Sequence, residues 1–398
     1  MLIKRRTFLK ISSLASTSLL IPNFMKALEL PEAMAFKNKI LVVLQFSGGN
    51  DGLNTIIPVR NDLYYSNRNT IAIGRNNALS LTDEASINPA LSFFKELYDN
   101  GDLAVMNNIG YPNPDKSHFR SMDIWQSASS SDEYWETGWL GRYLDEACHS
   151  CEHPTQALEV DDMLSLALKG NENKAFAFKD PQRLYETSRE KFFKSLCDGN
   201  DDHDHDMAEY LYQTMGSTIS NAQYIFDKSQ PKANQTGYPS TKLAQDFKTI
   251  SSLIKSDINT QVYYLSIGSF DTHTNQSQRQ NKLFEEINEA VKAFVNDLKQ
   301  NGRFNDVMLM TFSEFGRRVA QNASGGTDHG TANQMFFISG GLKKKGILNP
   351  LPDLQNLNDG DLIYTEDFRK IYATVLKKWL NADDGKILGK KNGYYDFI

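Results

Sequence analysis

The sequence predicts an α/β fold, a three-layer sandwich around a mostly parallel central sheet. Three observations carry this expectation. Short apolar runs recur along the chain, amphipathic helical patterns separate them, and glycine-rich or polar clusters stop them abruptly. Of 398 residues, 40% are hydrophobic and 11% aromatic, enough to fill the two core layers such a sandwich needs.

The first 35 residues stand apart from this pattern. MLIKRRTFLKISSLASTSLLIP has a basic start, an apolar stretch from Ile11 to Ile21 and then a small-residue site at Ala33-Met34-Ala35, the composition of an export signal. The stretch is shorter than the roughly 20 apolar residues a spanning helix requires, so no transmembrane anchor is expected after cleavage. Lys4-Arg5-Arg6-Thr7-Phe8-Leu9-Lys10 resembles the twin-arginine signal, which implies export of a folded protein to the periplasm or cell surface. The formal net charge is −6, and loss of the basic leader makes the remainder more acidic still. An acidic surface is poorly suited to nucleic acid or anionic membrane, and no nucleic-acid partner is expected.

Residues 36–398 are expected to form a single domain. Lys39–Phe46 is a continuous apolar run ending in Ser47-Gly48-Gly49-Asn50-Asp51-Gly52, and it reads as a strand buried on both faces. Leu103–Met106, Val262–Ile267, Val307–Phe312 and Met335–Ser339 read the same way. Between them, Asn281–Gln300 places Leu283, Ile287, Val291, Phe294 and Leu298 on one helical face. Another helix is expected from a Thr365 cap to about Leu380. Residues around 160–260 are less regular and read as a helix-rich insertion beside the sheet. Their acidic run Asp201–Asp206, with His203 and His205, reads as a solvated loop before a loose metal site. Cys148 and Cys151, near His149 and His153, fit a disulfide, half a zinc site or an ordinary loop; Cys197 is then a leftover thiol.

In an open α/β sheet, ligands collect beyond the carboxyl ends of the strands. Polar groups cluster at those ends here: Asp51 after the first strand, Asp271-Thr272-His273 after the third, and Ser313-Glu314-Phe315-Gly316-Arg317-Arg318 after the fourth. Asp328-His329 precedes the Met335 strand. Asp and neutral His suit zinc or manganese, and the two-residue spacing puts Asp271 and His273 on one side of an extended chain. Asp328 and His329, being adjacent, point apart, so His329 is the expected ligand and Asp328 either binds a second ion or orients an imidazole. Structural alternatives stand beside these readings: Asn50-Asp51-Gly52 makes a good turn without metal, and Glu314 with Arg317 makes an ordinary ion pair.

The combination FSGGNDGLNT, FDTHTNQ, SEFGRR and GGTDHGTAN behind a twin-arginine signal resembles the family known as domain of unknown function 1501, placed with the alkaline phosphatase and sulfatase superfamily. The resemblance implies an alkaline phosphatase-like fold and one or two divalent ions (zinc, manganese or calcium) that help cleave phosphate or sulfate esters. Carried over by position, Asp271, His273 and His329 would make one metal site. Asp51 and Glu314 would make a second, completed by Asp328 or His118, while Phe315 stands where relatives carry a histidine. Ser117 is the nearest hydroxyl to the expected nucleophile position, which Pro114 occupies, and Ser121 is the fallback; no Cys-x-Pro-x-Arg surrounds either. Arg120 or Arg317 would hold the ester oxygens.

The expectation is an exported metal-dependent hydrolase of a small-molecule or polymer ester. The alternative, motivated by Pro114 and Phe315, is a non-catalytic exported binding or assembly protein with cell-envelope partners. GGNDG lacks the G-x-G-x-x-G spacing of a dinucleotide site, so no organic cofactor is expected.

Overall fold

The computed structural model describes residues 39–147, 155–171, 175–190, 219, 221–230 and 237–398. The segment expected to be an export signal, Cys148, His149, Cys151, His153, Cys197 and the Asp201–Asp206 run lie outside the described residues. Among the described residues no helix is long and apolar enough to cross a membrane.

The unit from Ile40 to Ile398 is built on a nine-stranded sheet. Its strands are β1 (Ile40–Phe46), β2 (Leu103–Gly110), β3 (Ala157–Glu159), β4 (Phe176–Ala177), β5 (Val262–Ile267), β6 (Val307–Phe312), β7 (Asn333–Ile338), β8 (Gly346–Ile347) and β9 (Glu366–Asp367). They lie in the order β8-β2-β7-β6-β1-β5-β3-β4, with β9 also paired to β2. All these pairings are parallel except those of β7, which runs antiparallel to both β6 and β2.

Period-two alternation divides each central strand between two cores. Val42, Leu44 and Phe46 of β1 face one core with Leu309 of β6 and Phe336 of β7; Leu41 and Val43 face the other with Met308, Met310 and Phe337. Helices cover both sides, which is why the strands read as unbroken apolar runs. One layer holds α1 (Ser92–Asn100), α4 (Lys242–Lys255) and α5 (Gln276–Gln300); the other holds α2 (His118–Ser127), α3 (Trp139–Ala147) and α6 (Phe368–Thr374). Within residues 160–260, then, β4 extends the sheet and α4 belongs to a covering layer.

Two helices differ from the sequence expectation. α5 begins at Gln276, five residues earlier than expected, and it buries Phe284 with Ile287, Val291, Phe294 and Leu298 while Leu283 is only partly buried. The helix expected from Thr365 is capped by Asp367 instead: Glu366 and Asp367 are held as strand against β2, and the Asp367 carboxylate accepts from the Arg369 N–H at 2.9 Å. Beyond Thr374 it continues as a π-helical turn, Val375–Trp379.

Phe294 is fully buried, its ring 4.7 Å from that of Phe247, so it joins α5 to α4. Phe294→Ala is expected to lower the unfolding free energy by about 3–5 kcal/mol in a denaturant titration. A loss below about 1 kcal/mol would mean that the two helices are not packed as described.

Candidate metal centre

The reversed direction of β7 decides where the candidate ligands meet. β1, β2, β5 and β6 all end at one edge of the sheet, and because β7 runs the other way its preceding segment reaches that same edge. The turn after β6 and the segment before β7 then pair with each other. Gly316 N–H donates to the Thr331 carbonyl at 2.8 Å, Gly330 N–H to the Gly316 carbonyl at 2.9 Å, and Arg317 bridges to His329. A Cβ on Gly326 would lie 2.3 Å from the His273 carbonyl, so only glycine lets this segment close on the chain after β5. Gly48 makes the same kind of approach at the end of β1, with φ +118° and room for no side chain against the Asp271 amide.

Four side chains converge there. His118, at the start of α2, Asp271 and His329 offer ligand atoms that all lie within 4.8 Å of one another. His273 joins them, its Nε2 3.0 Å from His329 Nε2 and 3.1 Å from an Asp271 oxygen. Every imidazole is held from behind through Nδ1. His118 Nδ1 donates to Glu314 at 2.9 Å, His273 Nδ1 to Asp328 at 3.0 Å and His329 Nδ1 to the Lys116 carbonyl at 2.8 Å. A ring that spends its proton on Nδ1 presents a bare lone pair at Nε2, the form in which an imidazole binds a cation. Arg317 pairs with the Asp271 carboxylate at 2.7 Å, while His118 Nε2 is buried without a hydrogen-bond partner. A divalent cation fits this donor set; three nitrogens and one carboxylate suit zinc or manganese better than oxygen-seeking calcium.

Asp328 and His329 thus approach the same imidazole from opposite sides, the acid at Nδ1 and the histidine at Nε2 of His273. Asn322 steadies Asp328, donating to its carboxylate at 3.2 Å and to the His273 carbonyl at 2.9 Å. Phe315, almost fully buried, packs its ring 4.9 Å from His118 and 4.6 Å from His329, an apolar wall that fixes both ring planes. Neither Asn322 nor the Lys116 carbonyl carries a sequence signal that marks it in advance.

The other candidates are placed elsewhere or behind the centre. Glu314 is fully buried and accepts the Gly48 N–H at 2.7 Å besides the His118 bond, so it supports an imidazole from behind. Asp51 is saturated away from the cluster: Arg68 makes a two-pronged ion pair with it, and Gln276 and the Leu53 N–H take up the remaining acceptor sites. Asp51 and Glu314 therefore share no second ligand cluster. Arg317 is buried and spends its guanidinium on the carbonyls of Gly49, Thr327 and Phe270 and on Asp271, 2.7 Å away. Arg120 is turned toward the carbonyls of Ser130 and Ser131, both at 3.0 Å, under the ring of Tyr134. Ser121 is buried, bonded to Tyr111 at 2.8 Å and the Glu314 carbonyl at 2.5 Å. Ser117 is exposed beside His118, at the N-cap position of α2 but making no side-chain cap bond.

Proton affinities follow these contacts. The Glu314 bond raises the pKa of His118, while burial lowers that of His329. Burial pushes Asp271 up, but the Arg317 hydrogen bond and charge outweigh it and hold the carboxylate below its usual range. Bonds from Asn322 and His273 lower Asp328.

An α/β fold thus gathers histidine and aspartate side chains at the carboxyl edge of its sheet. The family model described as Protein of unknown function (DUF1501) matches residues 100–376, well over half of the chain, and the chain belongs to that family. No curated protein matches. Among solved structures, the phosphonate monoester hydrolase SpPMH from Silicibacter pomeroyi is similar at 7% identity and a TM-score of 0.42, covering 90% of this chain and 78% of that one. Ps i-CgsB is similar at 10% and 0.41, covering 89% and 75%, and the PsFucS1 sulfatase from Pseudoalteromonas sp. at 11% and 0.40, covering 92% and 73%. Likeness at this level carries no conclusion about chemistry.

In metal-free protein, protonated His118 stabilises the fold below the unfolded imidazole value of 6.5, and that contribution is lost as pH rises through its raised folded value. His329 acts oppositely, costing stability as pH falls below its unfolded value. Glu314→Gln removes the charge behind His118 and is expected to lower the His118 pKa in an NMR titration of the imidazole resonances. A His118 titration that does not move would contradict the assigned contact.

Proposed function

We propose that this chain is an exported hydrolase of phosphate or sulfate esters that works with one divalent ion, zinc or manganese, held by His118, His273, His329 and Asp271. Export would use the twin-arginine segment, leaving residues 36–398 as one α/β domain in the periplasm or at the cell surface. The single observation that carries the reading is the cluster of His118, Asp271 and His329, whose ligand atoms lie within 4.8 Å of one another, with His273 Nε2 3.0 Å from His329 Nε2.

Such an ion, when bound, polarises an ester oxygen and lowers the pKa of an attacking hydroxyl or water. The protein supplies the rest. Glu314, Asp328 and the Lys116 carbonyl keep the three rings in the tautomer that binds metal. Ser117, exposed beside His118 with its hydroxyl uncommitted to capping, is the proposed nucleophile. The two expected arginine clamps are occupied with backbone carbonyls, so the proposed stabilisation of the ester oxygens falls to the N-terminal end of α2, where backbone N–H groups and the helix dipole favour negative charge.

The same engagement of Arg120 and Arg317 favours a second reading, in which the protein keeps the metal centre but binds a partner without cleaving it. Elemental mass spectrometry of the purified mature protein, followed by a screen of phosphate and sulfate esters, separates these outcomes. The hydrolase reading expects near-stoichiometric zinc or manganese, a drop of about tenfold or more in folded His273→Ala and His329→Ala, and turnover lost in Ser117→Ala with metal retained. Metal without turnover of any ester would leave the binding reading. No metal after reconstitution would refute both.

A further inference from the structure

A cavity of about 220 Å³ has Phe315 in its wall, the same ring that packs against His118 and His329. Its walls are mainly apolar: Tyr111, Pro114, Phe315, Leu362, Ile363 and Tyr364, with Asn113, Asn358 and Thr331 as its polar edges. It shares chain with the centre at two points. The segment that gives the cavity Asn113, Pro114 and Asp115 continues directly into the Lys116 carbonyl behind His329, Ser117 and His118; Thr331 stands two residues after His329. Gly110 backs the cavity closely, since a Cβ there would lie 2.7 Å from that of Tyr364. Ile363 sits at its rim, 42% exposed.

We propose that this cavity receives an aryl group of the molecule whose anionic end is handled at the His/Asp centre, so that the substrates are aryl esters; the proposal rests on the ester reading and narrows it. The size fits: a dry apolar cavity of about 150 Å³ already takes up benzene. The chemistry fits as well, because pockets of this composition bind through apolar and aromatic walls with a few polar groups that set orientation. Phe315 then has two tasks: it packs against His118 and His329, and it offers a ring for edge or offset stacking against the bound aryl group.

The test uses the full-length mature protein and three probes. 4-Fluorophenol, followed by ¹⁹F NMR line broadening, reports the cavity alone; phenylphosphonate and methylphosphonate, compared by calorimetry on metal-loaded protein, report its coupling to the centre. The proposal expects 4-fluorophenol to bind with or without metal, and phenylphosphonate to bind at least about tenfold more tightly than methylphosphonate. Ile363→Trp and, independently, Asn358→Trp place bulk at the exposed rim, where folding is not at stake. Either variant should abolish 4-fluorophenol binding and the tenfold preference while leaving metal content and methylphosphonate affinity unchanged. Absent 4-fluorophenol binding, or equal phosphonate affinities, would overturn the proposal. Bound 4-fluorophenol with neither phosphonate bound would overturn it together with the ester reading, since the cavity would then serve some other ligand.

Discussion

The hydrogen bonds behind the three imidazole rings are what the rest of the structure serves. A histidine offers a lone pair to a cation only when its other nitrogen carries the proton, and at this sheet edge each Nδ1 has its own acceptor: Glu314, Asp328 and the Lys116 carbonyl. Those acceptors come from three separate segments, so the convergence of Nε2 atoms is a property of the tertiary fold. Remove one acceptor and a ring is free to turn or to change tautomer.

The constraint reaches into the sheet. Because β7 alone runs antiparallel, the segment before it meets the loops that follow β2, β5 and β6, and a histidine that precedes its strand joins residues that follow theirs. Arg317 then ties the edge together, linking the ends of β1 and β5 with the Thr327 carbonyl and Asp271 through one buried guanidinium. A buried arginine left unpaired would be costly, and here its donors go to four carbonyls and a carboxylate. The same geometry explains why it cannot also grip a substrate.

Much of this was legible in the sequence, and the parts that were not share a cause. Strand runs such as Lys39–Phe46 and Val307–Phe312 announce themselves because a strand covered on both faces must be apolar throughout. Asp271, His273 and His329 stand out because polar residues at successive strand ends have few reasons to be there unless they work together. His118 was legible as a ligand but not as a partner of these three, since its loop follows β2, which β7 separates from β6. Asp51 looked equivalent to Asp271 in the sequence; what separates them is Arg68, seventeen residues on, whose side chain closes on Asp51 from a helix end that no pattern connects to it. The Thr365 cap failed for a related reason: pairing of Glu366 and Asp367 with β2 outweighed a local preference. Local signals report what a residue can do, and long-range packing decides which of those things it does.

The account's central claim is that three imidazoles and one carboxylate make a single cation site. Anomalous diffraction from crystals of the protein soaked in zinc or manganese, recorded on both sides of the metal absorption edge, tests it most directly. The account predicts one strong peak bounded by Nε2 of His118, His273 and His329 and a carboxylate oxygen of Asp271, with none beside Asp51. A peak at Asp51 and Glu314 instead, or ordered metal only at surface carboxylates, would contradict it.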